Sequence, residues 1–144
     1  MAEWTECFRG VIYPWDCDHL GHMNVKNYTG MFDQAAFHLQ HQLGLSPKDL
    51  AESGETAVDA QHTVRFLQEQ LAGSLIVIEG ALTKIGTKSF TCTYRMRNVE
   101  TGELAATTEI VSVYFSTATR ASMEIPPALR SRLVSFLVSD PAEA

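Results

Sequence analysis

The sequence predicts an α+β fold in which one long helix lies across an antiparallel sheet. In residues 28–43, apolar side chains recur every three or four positions, which is typical of a helix with one buried face. From residue 57 onward the apolar period becomes two, which indicates strands. Short turn signals separate these strands, and short connections favour antiparallel pairing. We therefore expect one strand, the long helix and four further strands, in that order.

The helix is predicted to begin after Asn24 or Asn27, since either side chain can cap the free N–H groups of a first turn. Gly44 supplies the left-handed residue that ends it. The expected buried face is about four turns long. It consists of Tyr28, Met31, Phe32, Ala35, Ala36, Leu39 and Leu43.

The strands are bounded by residues that interrupt a ladder. The first is expected from Glu6 to Tyr13, because Pro14 cannot donate a backbone hydrogen bond. The others are expected over residues 57–67, 75–84, 88–98 and 104–116. In the segment 88–98, the residues predicted to face the core are Phe90, Cys92, Tyr94 and Met96. A last short helix is predicted to open at Pro126-Pro127, with an apolar face made of Leu129, Leu133, Val134 and Leu137.

Chain length and charge restrict the class of protein. The 144 residues, of which 45% are hydrophobic and 19% charged, predict one globular domain over residues 1–144. Lysine and arginine total 11 against 17 acids, and this net charge of −6 argues against binding nucleic acid or an anionic membrane. An anionic ligand would then need a local cluster of positive side chains.

The cysteines and histidines predict neither disulfides nor a metal site. The three cysteines do not have the spacing of a metal site. Their odd number fits a reducing compartment in which thiols stay free. The cytoplasm is therefore the expected compartment, and we expect a soluble protein because no apolar run is long enough to span a membrane. The cysteines are Cys7, Cys17 and Cys92, and the histidines without a partner at metal spacing are His38, His41 and His62.

The loop before the long helix carries the side chains best suited to chemistry. Its acids and histidines stand directly before the first helical turn, where unpaired N–H groups can bind an anion. From spacing alone, an acid in this place is most often a helix cap. Asp16 is interpreted as structural, with its carboxylate bonding loop N–H groups. The other loop residues of interest are Asp18, Gly21, His22 and Asn24.

Several motifs then follow in order along the chain. They are Tyr-Pro-Trp-Asp-Cys-Asp-His-Leu-Gly-His-Met-Asn at 13–24, Tyr28, Met31-Phe32-Asp33, His62-Thr-Val-Arg-Phe66, Gly73 and Ile85-Gly-Thr-Lys-Ser-Phe90. Together they resemble the signature of the hotdog-fold thioesterases of the 4-hydroxybenzoyl-CoA thioesterase group. The resemblance implies a long central helix wrapped by a curved antiparallel sheet. It also implies hydrolysis of an acyl-CoA thioester to free acid and CoA, with no cofactor.

By this resemblance the catalytic aspartate is Asp18. A carboxylate can attack the thioester carbonyl to form an anhydride, or it can take a proton from an attacking water, and the sequence leaves both routes open. The resemblance makes the backbone amide of Val25 the donor to the carbonyl oxygen, assisted by the helix dipole. His22 would orient groups or shuttle a proton, since histidine exchanges protons near neutral pH, or it would tie down loop carbonyls.

The resemblance also implies where the acyl group binds. Asn24 would fix the loop or cap the helix beside the substrate. Tyr28, with Met31 or Phe32, would line the acyl pocket. The segment from Asp59 to Thr63 of a second subunit would complete it.

The phosphates of CoA need local cations in an acidic protein. In related enzymes the turn that corresponds to residues 85–87 lies near the nucleotide, which favours Lys88 and Ser89 as CoA contacts. Ordinary solvated strand charge is the competing interpretation. The other cations near this turn are Lys84, Arg95, Arg97 and Arg65.

A sheet of this kind leaves an exposed edge, and its relatives assemble with the active site at a subunit boundary. A homodimer or homotetramer is therefore expected. The main alternative function is a non-catalytic acyl-CoA sensor, although such domains usually carry a DNA-binding segment, which this sequence lacks. A hydratase on the same fold would need an Asp and His pair on a longer helix-loop motif, which is not found.

Overall fold

A computed structural model describes residues 3–138. In it, a long helix packs against an antiparallel sheet. The helices are α1 (Val25–Leu43), α2 (Pro47–Leu50) and α3 (Pro127–Val134). The strands are β1 (Thr5–Val11), β2 (Glu55–Phe66), β3 (Leu75–Ile85), β4 (Ser89–Asn98), β5 (Leu104–Ser116) and β6 (Ala121–Ser122).

The sheet has the strand order β1-β3-β4-β5-β2, and the short β6 pairs with β5. All of these pairings are antiparallel. Consecutive hairpins join β3, β4 and β5. Strand β2 precedes β3 in the sequence but pairs with the outer side of β5. Helix α1 packs on β1 and β3, and its apolar face meets the core residues of the sheet. The predicted α+β arrangement is confirmed.

Helix α1 has the caps and the buried face that the sequence predicts. Asn24 is the N-cap, since its Oδ1 accepts a 3.1 Å hydrogen bond from the N–H of Lys26, and Asn27 lies inside the first turn. Gly44 ends the helix with a φ of 79°. All of the predicted apolar residues are buried. The helix has 19 residues, which is about five turns rather than four, because residues 25–27, which are not buried, precede the buried face.

Some strand ends and one face differ from the prediction. β1 ends at Val11 rather than Tyr13, because a 3₁₀ turn over Pro14–Asp16 follows it. In β4 the four predicted core residues are buried. Thr93, expected on the open face, is buried as well, and its hydroxyl lies 2.9 Å from the hydroxyl of Thr83. The hydrogen bond between the two hydroxyls gives each buried polar group a partner.

The C-terminal helix forms, and its predicted apolar face is confirmed for Leu129 and Leu133, which pack on the core, but is wrong for Val134 and Leu137. Leu133 is fully buried, whereas Val134 is 54% exposed. Leu137 lies beyond the helix end and pairs with Leu82 as an isolated bridge, so helical spacing no longer relates it to Leu133. The surface connection expected after Gly44 contains the short helix α2.

Strand β2 lies at one edge of the sheet. It pairs with β5 on one side, and no other strand within residues 3–138 pairs along its second side. Most of its 12 residues are exposed, including the apolar Val58 and Phe66. A long edge strand of this kind presents a row of backbone groups that another chain can pair with.

We expect Gly44→Ala to lower the free energy of unfolding by about 1–2 kcal/mol. Gly44 has a φ of 79°, and a Cβ there would contact the guanidinium of Arg132 from α3. Unfolding in urea measures the change. Gly30→Ala is the matched control, because Gly30 lies inside α1 with open space around its Cβ position, and alanine should raise stability by about 0.5–1 kcal/mol. Equal effects of the two substitutions would contradict this account of the helix end.

Candidate active site

The loop before α1 folds into a tight hairpin. Cys17 and Met23 pair across it as an isolated antiparallel bridge. Inside the bridge, the N–H of Asp18 donates to the carbonyl of His22 over 2.9 Å, and the N–H of Gly21 donates to the carbonyl of Asp18 over 3.0 Å. Gly21 closes the turn with a φ of 81°, which glycine adopts without a steric penalty. The hairpin therefore sets Asp18 and His22 opposite each other.

The carboxylate of Asp18 is partly exposed rather than sealed in the core. Its Oδ1 accepts a 2.9 Å hydrogen bond from the N–H of Leu20, which fixes the side chain within the turn. Within residues 3–138, its Oδ2 has no hydrogen-bond partner. One carboxylate oxygen thus holds the loop, and the other stays open to an incoming group.

Asp16 joins the hairpin to the first turn of α1. Its carboxylate accepts a 2.9 Å hydrogen bond from the N–H of Tyr13, so the structural role predicted for Asp16 is confirmed. Its carbonyl accepts the N–H of Asn24 over 2.8 Å and the side-chain amide of Asn27 over 2.7 Å. These bonds fix the position of the hairpin relative to the helix axis.

Val25 is the first residue of α1, and its side chain is 59% exposed. The first N–H groups of a helix have no intrahelical acceptor. Asn24 satisfies the N–H of Lys26, and the N–H of Val25 finds no acceptor among the described residues. A free donor therefore remains at the positive end of the helix dipole, where it can bind a developing negative charge.

A cleft of about 230 Å³ opens beside this donor. One wall is formed by the hairpin and the start of α1, and the other by the chain that follows β2. Asp18 does not line the cleft itself, but His22, its partner across the hairpin, does. The lining residues are His22, Met23, Val25, Tyr28, Phe66, Leu67, Gln68 and Glu69.

Two contacts join the walls of the cleft. The rings of Tyr28 and Phe66 meet edge to face, with centroids 5.1 Å apart and an angle of 81°. Nε2 of His22 lies 3.2 Å from Oε2 of Glu69. The cleft therefore combines an aromatic pair, an imidazole, a carboxylate and a free backbone donor.

Tyr28 keeps its proton in this setting. Burial raises the pKa of the Tyr28 phenol, a backbone hydrogen bond at Gln70 opposes the rise, and the charge of Glu69 adds to it. A pKa above its ordinary value means that the hydroxyl is protonated at neutral pH. Tyr28 therefore remains a hydrogen-bond donor in the lining of the cleft.

Sequence reasoning missed Phe66 and Glu69 as residues of this site. Their segment comes to the helix start through tertiary contacts: the N–H of Met23 donates to the carbonyl of Gln70 over 2.8 Å, and His22 pairs with Leu71. Phe66 ends a predicted motif, which was the one available signal. Glu69 belongs to no motif, because its role depends on a contact between distant parts of the chain.

The turn between β3 and β4, predicted near the CoA nucleotide, is held by α3. Nη2 of Arg130 donates to the carbonyls of Gly86 over 2.7 Å and of Thr87 over 3.0 Å. A groove of about 700 Å³ lies between this turn and the start of α3. Lys88 is exposed, and Ser89 half-buried, at the adjoining start of β4.

Two members of the predicted cation cluster bind a carboxylate instead. Nε of Arg95 lies 3.1 Å and Nε of Arg97 lies 3.5 Å from Oε1 of Glu79. The guanidinium of Arg95 also lies 4.0 Å from the ring centroid of Trp4. Glu79 on the neighbouring strand thus competes with any phosphate for both arginines. The exposed members of the predicted cluster are Lys84, Lys88 and Arg65.

The structure separates the residues predicted for the acyl pocket. Tyr28 lines the cleft, whereas Met31 and Phe32 are buried in the core, because α1 turns them toward the sheet. Thr63 lies on the exposed strand β2, where its hydroxyl accepts a 3.2 Å hydrogen bond from Nε2 of Gln61. Within one chain, Thr63 is not part of the cleft.

Within residues 3–138, no group of three or more histidines, cysteines or acids is arranged to hold a metal ion. Over the same residues, no helix combines the length and the apolar composition needed to cross a bilayer.

Comparison with known proteins identifies the family. The family model of the thioesterase-like superfamily matches residues 12–133, and the chain belongs to this superfamily. A curated relative, L-carnitine dehydrogenase/betainyl-CoA thioesterase of Agrobacterium fabrum, is 28% identical over 116 residues. The match covers 81% of this chain but 24% of the relative, so the chain spans about a quarter of that protein's length.

Solved structures share the fold of this chain. A Staphylococcus aureus protein solved in complex with CoA has a TM-score of 0.86 at 18% identity, covering 98% of this chain and 88% of that one. A 1,4-dihydroxy-2-naphthoyl-CoA thioesterase from Synechocystis has a TM-score of 0.77 at 16% identity, covering 92% and 96%. At these identities the likeness shows the fold, and it confirms the predicted hotdog fold. Membership of the thioesterase-like superfamily is consistent with a thioester hydrolase.

Proposed function

We propose that the protein is an acyl-CoA thioesterase that hydrolyses a thioester at the start of α1. The observation that carries the proposal is the cleft in which the free N–H of Val25 stands beside His22, in a chain of the thioesterase-like superfamily. Thioester hydrolysis places negative charge on the carbonyl oxygen in the transition state, and a fixed N–H donor stabilises that charge. The helix dipole adds to the stabilisation.

Asp18 is the proposed catalytic carboxylate. In one route its Oδ2 attacks the carbonyl carbon, the C–S bond breaks, CoA leaves as the thiol after taking a proton, and water then hydrolyses the acyl anhydride. In the other route Asp18 takes a proton from water as that water attacks, and CoA again leaves as the thiol. Both routes need the carboxylate oxygen that the turn leaves unbonded.

His22 and Asn24 support the same reaction in our proposal. His22 lines the cleft and contacts Glu69 at 3.2 Å, so its imidazole is held where it can orient the thioester or pass a proton to the leaving sulfur. Asn24 caps α1 and thereby keeps the Val25 N–H in place beside the substrate. Tyr28, with its protonated phenol, lines the space for the acyl group.

The CoA part of the substrate is proposed to contact the turn between β3 and β4 of a second subunit, because within one chain this turn lies toward the C-terminal end of α1 and the cleft lies at its start. Lys88 is exposed there and free of the Glu79 contact that engages Arg95 and Arg97. Lys88 and the neighbouring Ser89 are therefore our proposed contacts for CoA. An ammonium group and a hydroxyl suit phosphate oxygens.

Strand β2 is the proposed subunit boundary of a homodimer or homotetramer. Its second side is unpaired in the described chain, and Val58 is 42% exposed on it. Asp59 is held by Ser112 Oγ at 3.0 Å and His62 Nε2 at 2.9 Å, so the edge presents a fixed polar group next to the bulge in the strand. In an assembly of this kind, Thr63 reaches the acyl pocket of the other subunit.

We further propose that residues 1–144 form one hotdog domain and that the protein acts in the cytoplasm. The single core that joins helix and sheet supports the first proposal. Three free cysteines support the second, because thiols persist in a reducing compartment. Purification of the chain alone, with a cooperative unfolding transition, tests the first, and localisation of a tagged copy tests the second.

We expect Asp18→Asn to lower kcat for acyl-CoA hydrolysis by about 10²–10⁴-fold, since it removes the base or nucleophile. The amide keeps the oxygen that accepts from the N–H of Leu20, so the turn is preserved.

Lys88→Ala is the contrasting variant and should raise KM for CoA esters more than it lowers kcat, because it removes a contact with CoA. Thiol release from acetyl-, betainyl- and benzoyl-CoA measures both effects.

The assay separates the proposal from its competitors. Undiminished thiol release by Asp18→Asn would contradict the catalytic role of this carboxylate. An unchanged KM for Lys88→Ala would contradict the CoA placement. Tight binding of CoA esters by the native protein without any thiol release would favour a sensor over an enzyme.

We expect sedimentation analysis to give a mass two or four times the 15.9 kDa of one chain. Val58→Lys on β2 should shift the protein toward monomer, because a buried lysine ammonium opposes strand pairing. Val99→Lys is the matched control, since Val99 is 40% exposed in the turn between β4 and β5, and its mass should match that of the native protein. A native protein that sediments as a monomer would contradict the proposed boundary.

A further inference from the structure

The charge of the cleft distinguishes between classes of acyl group. Glu69 lies in its lining, and the carboxylate of Asp18 lies on the hairpin that forms one wall. No lysine or arginine of residues 3–138 is in the lining. An anionic acyl group would meet two carboxylates there without a compensating cation, which disfavours binding.

The geometry of the Glu69 carboxylate leaves it available to a ligand. Its contact with Nε2 of His22 uses Oε2, and Oε1 has no hydrogen-bond partner within the described chain. The side chain is 74% exposed, so it reaches the open part of the cleft rather than the core. Glu69 lines the same cleft as the aromatic pair of Tyr28 and Phe66.

The aromatic pair of Tyr28 and Phe66 also favours a positively charged ligand. Phe66 is 50% exposed, so part of its ring faces the cleft, and Tyr28 fixes that ring by the edge-to-face contact. Aromatic faces attract cations, and the attraction is best attested for quaternary ammonium groups, whose charge is spread over methyl groups. Phe66 and Glu69 stand three residues apart in one wall of the cleft.

From this lining we infer that the acyl group is small and carries a positive charge, of the quaternary ammonium class, bound between the Phe66 ring and the Glu69 carboxylate. The inference rests on the proposed function, since it assigns the substrate class of the same cleft. The carbonyl oxygen of the thioester accepts a hydrogen bond from the Val25 N–H at the helix start. The cationic group lies toward the wall formed by residues 66–69. The part of the pocket that one chain forms has a volume of about 230 Å³, which suits a short acyl chain rather than a long one. Phe66 and Glu69 become specificity-determining residues.

The test compares two esters that differ in one atom and one charge. Betainyl-CoA, whose acyl group is trimethylammonioacetyl, is the cationic ester, and 3,3-dimethylbutanoyl-CoA, with carbon in place of nitrogen, is its neutral isostere. Each kcat/KM is divided by the rate of uncatalysed hydrolysis of the same ester, because the ammonium group also activates the carbonyl. We expect the native protein to prefer the cationic ester by about tenfold or more after this correction.

Three variants assign the preference to residues. Glu69→Gln and Phe66→Leu should each lower kcat/KM for the cationic ester about fivefold more than for the neutral one, because they remove the charge and the aromatic face. Glu100→Gln is the matched control, since Glu100 is an exposed glutamate in the turn between β4 and β5, and its preference should equal that of the native protein.

The outcomes separate this inference from the proposed function. Equal hydrolysis of both esters, or an equal effect of Glu69→Gln on both, overturns the cationic substrate class and leaves the thioesterase activity standing. Release of thiol from acetyl- or benzoyl-CoA but from neither test ester also overturns it. Absence of thiol release from every ester overturns the proposed function and the inference together.

Discussion

The site depends on the hydrogen bonds that fasten the loop before α1 to the first turn of that helix. The carbonyl of Asp16 accepts from the backbone of Asn24 and the side chain of Asn27, while Asn24 itself caps the helix. A helix start needs partners for its free N–H groups, and here the loop supplies most of them. The N–H of Val25 is left over, at the point where His22 enters the cleft. The cap that stabilises the helix thus also leaves the Val25 N–H free for the oxyanion in our proposal.

The parts of the fold that local sequence determines were predictable. Asn24, Gly44 and the apolar period of α1 act within a few residues of each other, and each has the predicted role. Alternation identified the core face of β4 for the same reason. The C-terminal helix shows the limit: its end at Val134 depends on backbone pairing between the following chain and Leu82, which spacing cannot reveal.

The candidate site likewise has one part that local sequence predicts and one part that it does not. Its first wall comes from one contiguous motif, so Asp18, His22 and Val25 could be proposed from the sequence. Its second wall, with Phe66 and Glu69, is brought there by pairing of distant segments. Likewise, the basic residues of β4 predict a phosphate site from sequence alone. The register of β3 against β4 places Glu79 beside Arg95 and Arg97, where it binds both. Cross-strand neighbours therefore decide which charges remain available.

Placing the Val25 amide on the thioester oxygen is the central claim, and amide NMR tests it most directly. The ligand is acetonyl-CoA, a ketone in which a methylene separates sulfur from the carbonyl, so it binds without being hydrolysed. We predict that the Val25 amide proton moves downfield with acetonyl-CoA and stays in place with free CoA, because only the ketone offers a carbonyl oxygen to this donor. A Val25 signal that does not move while other amides report saturating binding of the ketone would contradict the account.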